Sequence, residues 1–336
     1  MNTILVIGGS RYFGKSLVTK ARDAGHEVTL LNRGSSAPPS GVDRLVADRD
    51  DEEALRAALG GRTFDTVVDQ VCYTPRQAAV ARRVFAGRTG RYVMTSTMEV
   101  YDPATLPAPT AGGGPVPVTE DSLDPLRAEA LQGSGPAFEY ADGKRRAEAV
   151  FLRDPVFPYV SVRTAHVLGG GAADFTGRLA HYTERIAAGT PVDIHQAPYA
   201  TSFIHHTEIA DLLYWAAGQS FTGPVNAASH GALDARELSE LVAERVGRRP
   251  RYRVVGEGVE ASPFSFDRAY AMDNTRAASL GFDFGRVSDW LPAAIAEAAS
   301  VYAVPEAASV QPSPARRSSG VATDELLTLK TTLPAR

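Results

Sequence analysis

Tyr140 and Lys144 stand four residues apart in "EYADGKRRAEAVF", a stretch that reads as a helix, so both project from one face about one turn apart. An ammonium beside a phenol lowers the phenol's pKa from about 10 toward neutrality, which makes it a usable acid and base. Lysine is scarce here. Only Lys15, Lys20, Lys144 and Lys330 occur among many arginines. Upstream, "TSTMEVY" (95–101) follows the apolar run Tyr92-Val93-Met94 and sets Thr97, Met98 and Glu99 where a buried strand ends. Once a carbinol has been oxidised to a ketone, the neighbouring C–H is acidic, and a carboxylate whose pKa is raised by burial can take that proton. Glu99 is the candidate for this base. The competing reading is that it hydrogen-bonds a loop or pairs with an arginine.

A second motif lies at the start of the chain. "ILVIGGSRYFGKSLV" follows an expected first strand and opens a helix, the context that gives a glycine pattern meaning. Gly8 and Gly9 permit a tight turn with backbone N–H groups close to a pyrophosphate, Gly14 lets helix and strand pack closely, and the helix N-terminus favours an anion. The residues of this turn, Ser10, Arg11, Tyr12 and Phe13 included, are therefore candidates for binding a dinucleotide. The middle glycine of the usual G-x-x-G-x-x-G pattern is replaced by Arg11. The second strand ends in "LLNRG", with Asn32 where NAD-preferring folds place an acid and Arg33 beside it. Two guanidinium groups near an adenosine ribose favour a 2′-phosphate, so NADP is expected over NAD. In "VADRDD", Asp48 is set to accept from an adenine amino group, with Arg49 next to it.

Positioning these groups requires a sheet. Apolar runs without clean alternation occur at Ile4–Ile7, Val28–Leu31, Thr66–Val71 and Arg91–Met94, with helical patterns at Lys15–Ala24, Asp51–Leu59 and Arg76–Phe85 between them. This is the rhythm of βαβ units, and it predicts an α/β fold: a Rossmann-type doubly wound parallel sheet covered on both faces, with a smaller C-terminal substrate lobe. Residues 102–136, rich in Pro and Gly, read as a flap-like insertion. A helix resumes near Phe138, a strand follows at Tyr159–Arg163, and helices are expected at 175–188, 207–217, 234–246 and 288–302. The division expected is a dinucleotide-binding domain over 1–165, a mainly substrate-binding lobe over 166–303, and a mobile tail over 304–336 whose composition is rich in Pro, Ser and Ala.

Bulk composition narrows the function class. The 336 residues carry a net charge of −4, which gives no field to gather nucleic acid or anionic lipid. One cysteine, Cys72, excludes an intramolecular disulfide. No apolar run approaches the ~18 residues needed to cross a bilayer, so the expectation is a cytoplasmic protein with no membrane partner. His205 and His206 are adjacent and lack other ligands at metal-binding spacing, so no metal is expected.

Taken together, "GGSRYFG", "ADRDD", "TSTMEVY", "YADGK", "RTAHVLGGG", "SFIHHTEIADLL" and "DNTRAASLGF" make the chain resemble the extended short-chain dehydrogenase/reductase family over roughly residues 3–300. That family comprises nucleotide-sugar epimerases, dehydratases and ketoreductases, and the "GGSRYFG" and "LNRG" pair is most similar to its atypical branch. The resemblance implies that Thr97 hydrogen-bonds a substrate hydroxyl, Tyr140 removes its proton, and Lys144 holds the nicotinamide ribose. It puts Ala165 and His166 beside the nicotinamide and Val71 along the cofactor. Arg178, Arg185 and Arg276 are candidates for the substrate lobe, and Met98 for its rim. The activity implied is epimerisation or dehydration of a nucleotide sugar or nucleoside-like sugar through a transient ketone. Net reduction of a ketone by NADPH is the alternative, and a non-catalytic RNA-binding role, known from the atypical branch, is a third. The resemblance also implies a homodimer built by the helices at 75–86 and 139–152.

Overall fold

Residues 1–101, 116–128, 135–256 and 259–301 are described in a computed structural model of the chain. Its first half runs β1 (Thr3–Ile7), α1 (Tyr12–Asp23), β2 (Glu27–Asn32), β3 (Asp43–Val46), α2 (Glu52–Leu59), β4 (Thr66–Asp69), α3 (Pro75–Phe85), β5 (Tyr92–Thr97), α4 (Pro136–Arg153) and β6 (Tyr159–Thr164). The second half continues with β7 (His166–Leu168), α5 (Arg178–Ala188), β8 (Val192–Ile194), β9 (Phe203–His205), α6 (His206–Ala217), β10 (Gly223–Ala227), α7 (Ala235–Val246), β11 (Tyr252–Val254), α8 (Thr275–Ser279) and α9 (Val287–Val301).

Seven strands form one parallel sheet in the order β3-β2-β1-β4-β5-β6-β10. The order reverses between β1 and β4, and in such a sheet the crevice at the strand ends beside that reversal takes the ligand. Register brings the relevant ends level: Ile7 lies opposite both Leu31 and Asp69. The apolar runs are continuous because both faces are covered. In β1, Ile4 and Val6 enter a core shared with Leu17, Ile209 and Leu213 of α1 and α6, whereas Leu5 and Ile7 enter a core with Leu55, Val84 and Phe151 of α2, α3 and α4.

The boundary drawn at residue 165 is crossed by the chain. α6 returns to pack on α1, and β10 adds the last strand of the central sheet, so Met1–Tyr302 is knit into one unit. The remaining elements carry a third core around Leu179, Ile186, Leu238, Val242, Leu291 and Ile295, with two small parallel pairs, β7 with β9 and β8 with β11. Most of the insertion expected at 102–136 and the tail expected over 304–336 fall outside the described residues. The part over 116–128 is docked: Glu120 Oε1 accepts from Asn226 N at 2.7 Å, and Arg163 donates to Glu120 O at 2.9 Å.

Candidate active site

The turn after β1 has the shape its glycines predict. Gly8 has φ +91°, and a Cβ there would stand 2.6 Å from Val71 Cγ1; one on Gly9 would meet Val6 and Val18 at 2.7 Å; one on Gly14 would meet Gln70 Oε1 at 2.3 Å. Tyr12 opens α1 at φ 50°, a left-handed conformation uncommon for a bulky residue, which stores on the order of 1 kcal/mol of strain. Its phenol donates to Gly169 O at 2.9 Å and its ring stacks on His206, which ties the turn to the second half of the chain. No side chain caps the start of α1 and no acid stands in its first turn, so its backbone N–H groups are left for an anion.

A cleft of about 520 Å³ runs from this turn across the ends of β2 and β4. Gly8, Ser10, Arg11, Tyr12, Phe13, Asn32, Arg33, Asp48, Arg49 and Val71 line it, and Gln70, Tyr73 and Phe175 join them. Asn32 Nδ2 donates to Ser10 Oγ at 2.8 Å and to Ser36 O at 3.1 Å, binding the ends of β1 and β2 together. Arg11 and Arg33 are exposed and, among the described residues, unpaired. Arg49 instead forms a buried ion pair with Asp69 at 2.6 Å, and Asp69 also accepts from Tyr92 Oη at 2.5 Å. A glycine cradle, uncapped helix N–H groups, a buried Gln70 Nε2 with no partner and a cleft of this length fit a dinucleotide.

Beyond Tyr73, whose ring stands 6.2 Å from that of Tyr140, Thr97 ends β5, and its hydroxyl accepts from Glu99 N at 3.3 Å beside the Tyr140 phenol. Tyr140 is 41% exposed and Lys144, one turn on, only 1%. Lys144 Nζ donates to Thr95 O at 2.8 Å and lies 4.4 Å from the centre of the Tyr73 ring. The expected lowering of the phenol's pKa by Lys144 does not hold in this geometry. Burial raises Tyr140 to about 12, opposed by the neighbouring Thr97 and the charge of Arg178, because the ammonium is turned toward Tyr73 and Thr95. Burial lowers Lys144 itself to about 8.

Glu99 sits in a single turn, Met98–Val100, half-buried, and accepts from Tyr270 Oη. Arg178, at the start of α5, carries its charge to Glu99 and Tyr140. It donates to His166 Nδ1 at 3.1 Å and lies over the Phe264 ring at 5.3 Å. That bond leaves the His166 proton on Nε2, which is buried without a partner. Burial and Arg178 hold His166 well below its ordinary value, hence neutral. Rather than lining the dinucleotide cleft, His166 is boxed by Phe203, Phe264, Phe266 and Tyr270. Ala165 is buried where β6 ends, its N–H bonded to Ala227 O, and Met98 is buried in the core.

Two predicted substrate contacts are not brought to this place. Arg185 donates to Pro191 O at 2.7 Å and faces Asp193, fastening α5 to β8. Arg276 donates to Thr222 O at 3.3 Å beside β10. Conversely, Tyr73, Phe175, Phe264 and Tyr270 are here without having been anticipated. Only Tyr73 carried a signal, as the aromatic in "VCYTP" directly after an expected strand. Phe264 and Tyr270 arrive from loops that no periodicity places, and Phe175, expected to open the helix at 175–188, lies in the turn before α5 begins at Arg178.

Sequence and fold comparisons agree with this geometry. The model of the NAD dependent epimerase/dehydratase family matches residues 4–228. A 2′-dehydrokanamycin reductase of Streptomyces kanamyceticus is 29% identical over 256 residues, which are 73% of this chain and 67% of that protein. Among solved structures, the Bordetella bronchiseptica enzyme WbmH in complex with NAD+ superposes with a TM-score of 0.67 at 17% identity, over 90% of this chain and 100% of that one. The UDP-glucose 4-epimerase of Thermotoga maritima with UDP-glucose superposes at 0.65 and 19% identity, over 89% and 99%.

Proposed function

The chain belongs to the NAD dependent epimerase/dehydratase family, and from that membership we propose that this NAD(P)-dependent enzyme oxidises a sugar carbinol to a transient ketone and completes an epimerisation or dehydration from it. The observation that carries the reading is the Tyr140 phenol beside Thr97 of β5, one helical turn from a buried Lys144 and next to Tyr73 of the glycine-cradled cleft. Bound in that cleft, a nicotinamide dinucleotide supplies hydride acceptance and donation. Gly8, Gly9, Ser10 and the N–H groups that open α1 would hold its pyrophosphate, Asn32, Arg33 and Asp48 its adenosine end, and Lys144 its nicotinamide ribose. Arg11 and Arg33, exposed and unpaired among the described residues, together with Asn32 in place of an acid, favour NADP.

Thr97 orients the substrate hydroxyl, and Tyr140, protonated at rest, would accept its proton as the phenolate, a form that Arg178 and the positive charge of a bound oxidised nicotinamide would favour, as hydride leaves the carbinol carbon. Glu99, steadied by Tyr270, then removes the proton from the carbon beside the new carbonyl. Arg178 offsets the negative charge that would gather on Tyr140 and Glu99. The substrate is a nucleotide sugar or nucleoside-like sugar, in keeping with the UDP-glucose of the Thermotoga maritima structure. In solution the protein is a homodimer joined through α3 and α4, which lie side by side; a light-scattering mass equal to one chain would count against it.

A second reading, net reduction of a ketone by NADPH, is favoured by the relative named as a reductase. Absorbance at 340 nm separates the two, because only net reduction consumes NADPH. Glu99→Gln tests the base: solvent deuterium should enter the product at least ~100-fold more slowly, and incorporation at the wild-type rate would remove Glu99 from the mechanism.

A further inference from the structure

Lys144 is buried, yet among the described residues no carboxylate comes within ion-pair distance of it. The charged and titratable groups around it are spent elsewhere. Asp69, at the end of β4, is held by Arg49 and Tyr92; Glu148, one turn further along α4, is paired with Arg163 at 2.8 Å; Cys72 is a buried thiol raised to about 11 by desolvation. Tyr140, on the same helix face, stands beside Thr97 and is a phenol raised by burial. The ammonium makes a single hydrogen bond, to Thr95 O, and its other close neighbour is the face of the Tyr73 ring at 4.4 Å.

Tyr73 is fixed for this contact. Its N–H donates to Gln77 Oε1 at 2.6 Å, and its carbonyl lies against Gly143, where a Cβ would come within 2.4 Å of the oxygen. The glycine of "ADGK" therefore lets α4 approach the Tyr73 backbone closely enough to set Lys144 over the ring. The ring is partly exposed, lines the dinucleotide cleft and stands 6.2 Å from the Tyr140 ring.

We propose that Tyr73 is the positioning residue of the site, its π face holding the Lys144 ammonium charged behind the wall of the dinucleotide cleft that the ring itself lines. The role of Lys144 toward the nicotinamide ribose rests on the function proposed above. The contact between Tyr73 and Lys144 does not. A desolvated cation gains most from an aromatic face when no anion competes for it, and that is the situation of Lys144.

With only four lysines in the chain, NMR of lysine labelled with ¹³C at Cε follows each ammonium through a pH titration, and Lys144→Met identifies the resonance of Lys144. Tyr73→Phe keeps the π face and should leave the Lys144 midpoint within roughly a quarter of a pH unit of wild type, whereas Tyr73→Leu should lower it by about one unit. Should the leucine variant fold poorly, a phenylalanine trifluorinated on the ring, placed at position 73, drains the π face at nearly constant shape and should move the midpoint the same way. An unchanged or raised midpoint in the leucine or fluorinated protein would overturn the proposal. Fluorescence titration of the same samples with NADPH reports separately on the proposed function. If NADPH bound to none of them, that function would fail, while the lysine midpoints would still decide the role of Tyr73.

Discussion

Tyr140 and Lys144 hold their protons against opposite tendencies. Burial raises the phenol to about 12, so it is protonated at neutral pH, and it lowers the ammonium from 10.5 to about 8. Replacing Tyr140 by Phe removes the proposed proton acceptor and none of the groups proposed to hold the dinucleotide. Turnover should fall ~10²–10⁴-fold while NADPH affinity, read by fluorescence, stays within about threefold. The lysine makes a prediction about stability. Its folded-state value lies below its unfolded one, so the unfolded chain binds more protons between about pH 8 and 10.5, and stability from this group rises with pH across that window. At pH 7 its full penalty is present, on the order of 3 kcal/mol before the Thr95 bond offsets part of it. Chemical denaturation of Lys144→Met and wild type should therefore show the variant's advantage shrinking from pH 7 to pH 10; a constant difference would contradict it. The spacing of Tyr140 and Lys144 was readable because helix geometry is local. The direction of the ammonium was not, since it depends on Tyr73, 71 positions away.

Among the elements, α4 carries the proposed acid–base pair and is firmly anchored. Glu148 and Arg163, both fully buried, join α4 to β6, and Ser96 of β5 donates to Glu148 at 2.5 Å. Arg163 reaches on to Tyr101 and Glu120, and Tyr101 to Asn226 of β10, so one polar network spans α4, three strands and the docked 116–128 segment. Glu148→Gln would leave Arg163 buried without its counter-charge and should lower the unfolding free energy by about 3–5 kcal/mol in urea. The carboxylate is held below its ordinary value, chiefly by Arg163 against the opposing effect of burial, so its contribution is present above that ordinary value and lost as pH falls through the lowered one. The strands and helices of the first half were legible from apolar periodicity, since a parallel sheet covered on both faces writes continuous apolar runs. β7, β8, β9, β11 and α8, of three to five residues each, are too short to display a period and were not. The return of β10 to the central sheet is a long-range pairing that no local pattern encodes.

For the molecule as a whole, the sheet reversal between β1 and β4 fixes where the dinucleotide cleft lies, and residues far apart in the chain fix what it prefers. The cofactor turn was nearly complete in the sequence because its glycines are demanded by backbone approach. The substrate side was largely hidden: Phe264, at φ 69° against His166 and Arg178, and Tyr270 against Glu99 come from loops after residue 259. Removing either guanidinium, Arg11→Ala or Arg33→Ala, should weaken NADPH binding by about tenfold and leave NADH binding nearly unchanged, since a charge-assisted bond to the 2′-phosphate is lost only in the first case. The most direct trial of the account is calorimetric titration of the purified chain with NADPH, NADP+, NADH and NAD+. It should give one site per chain, with the phosphorylated pair tighter by about tenfold or more. Heat from none of the four would contradict the account at its base.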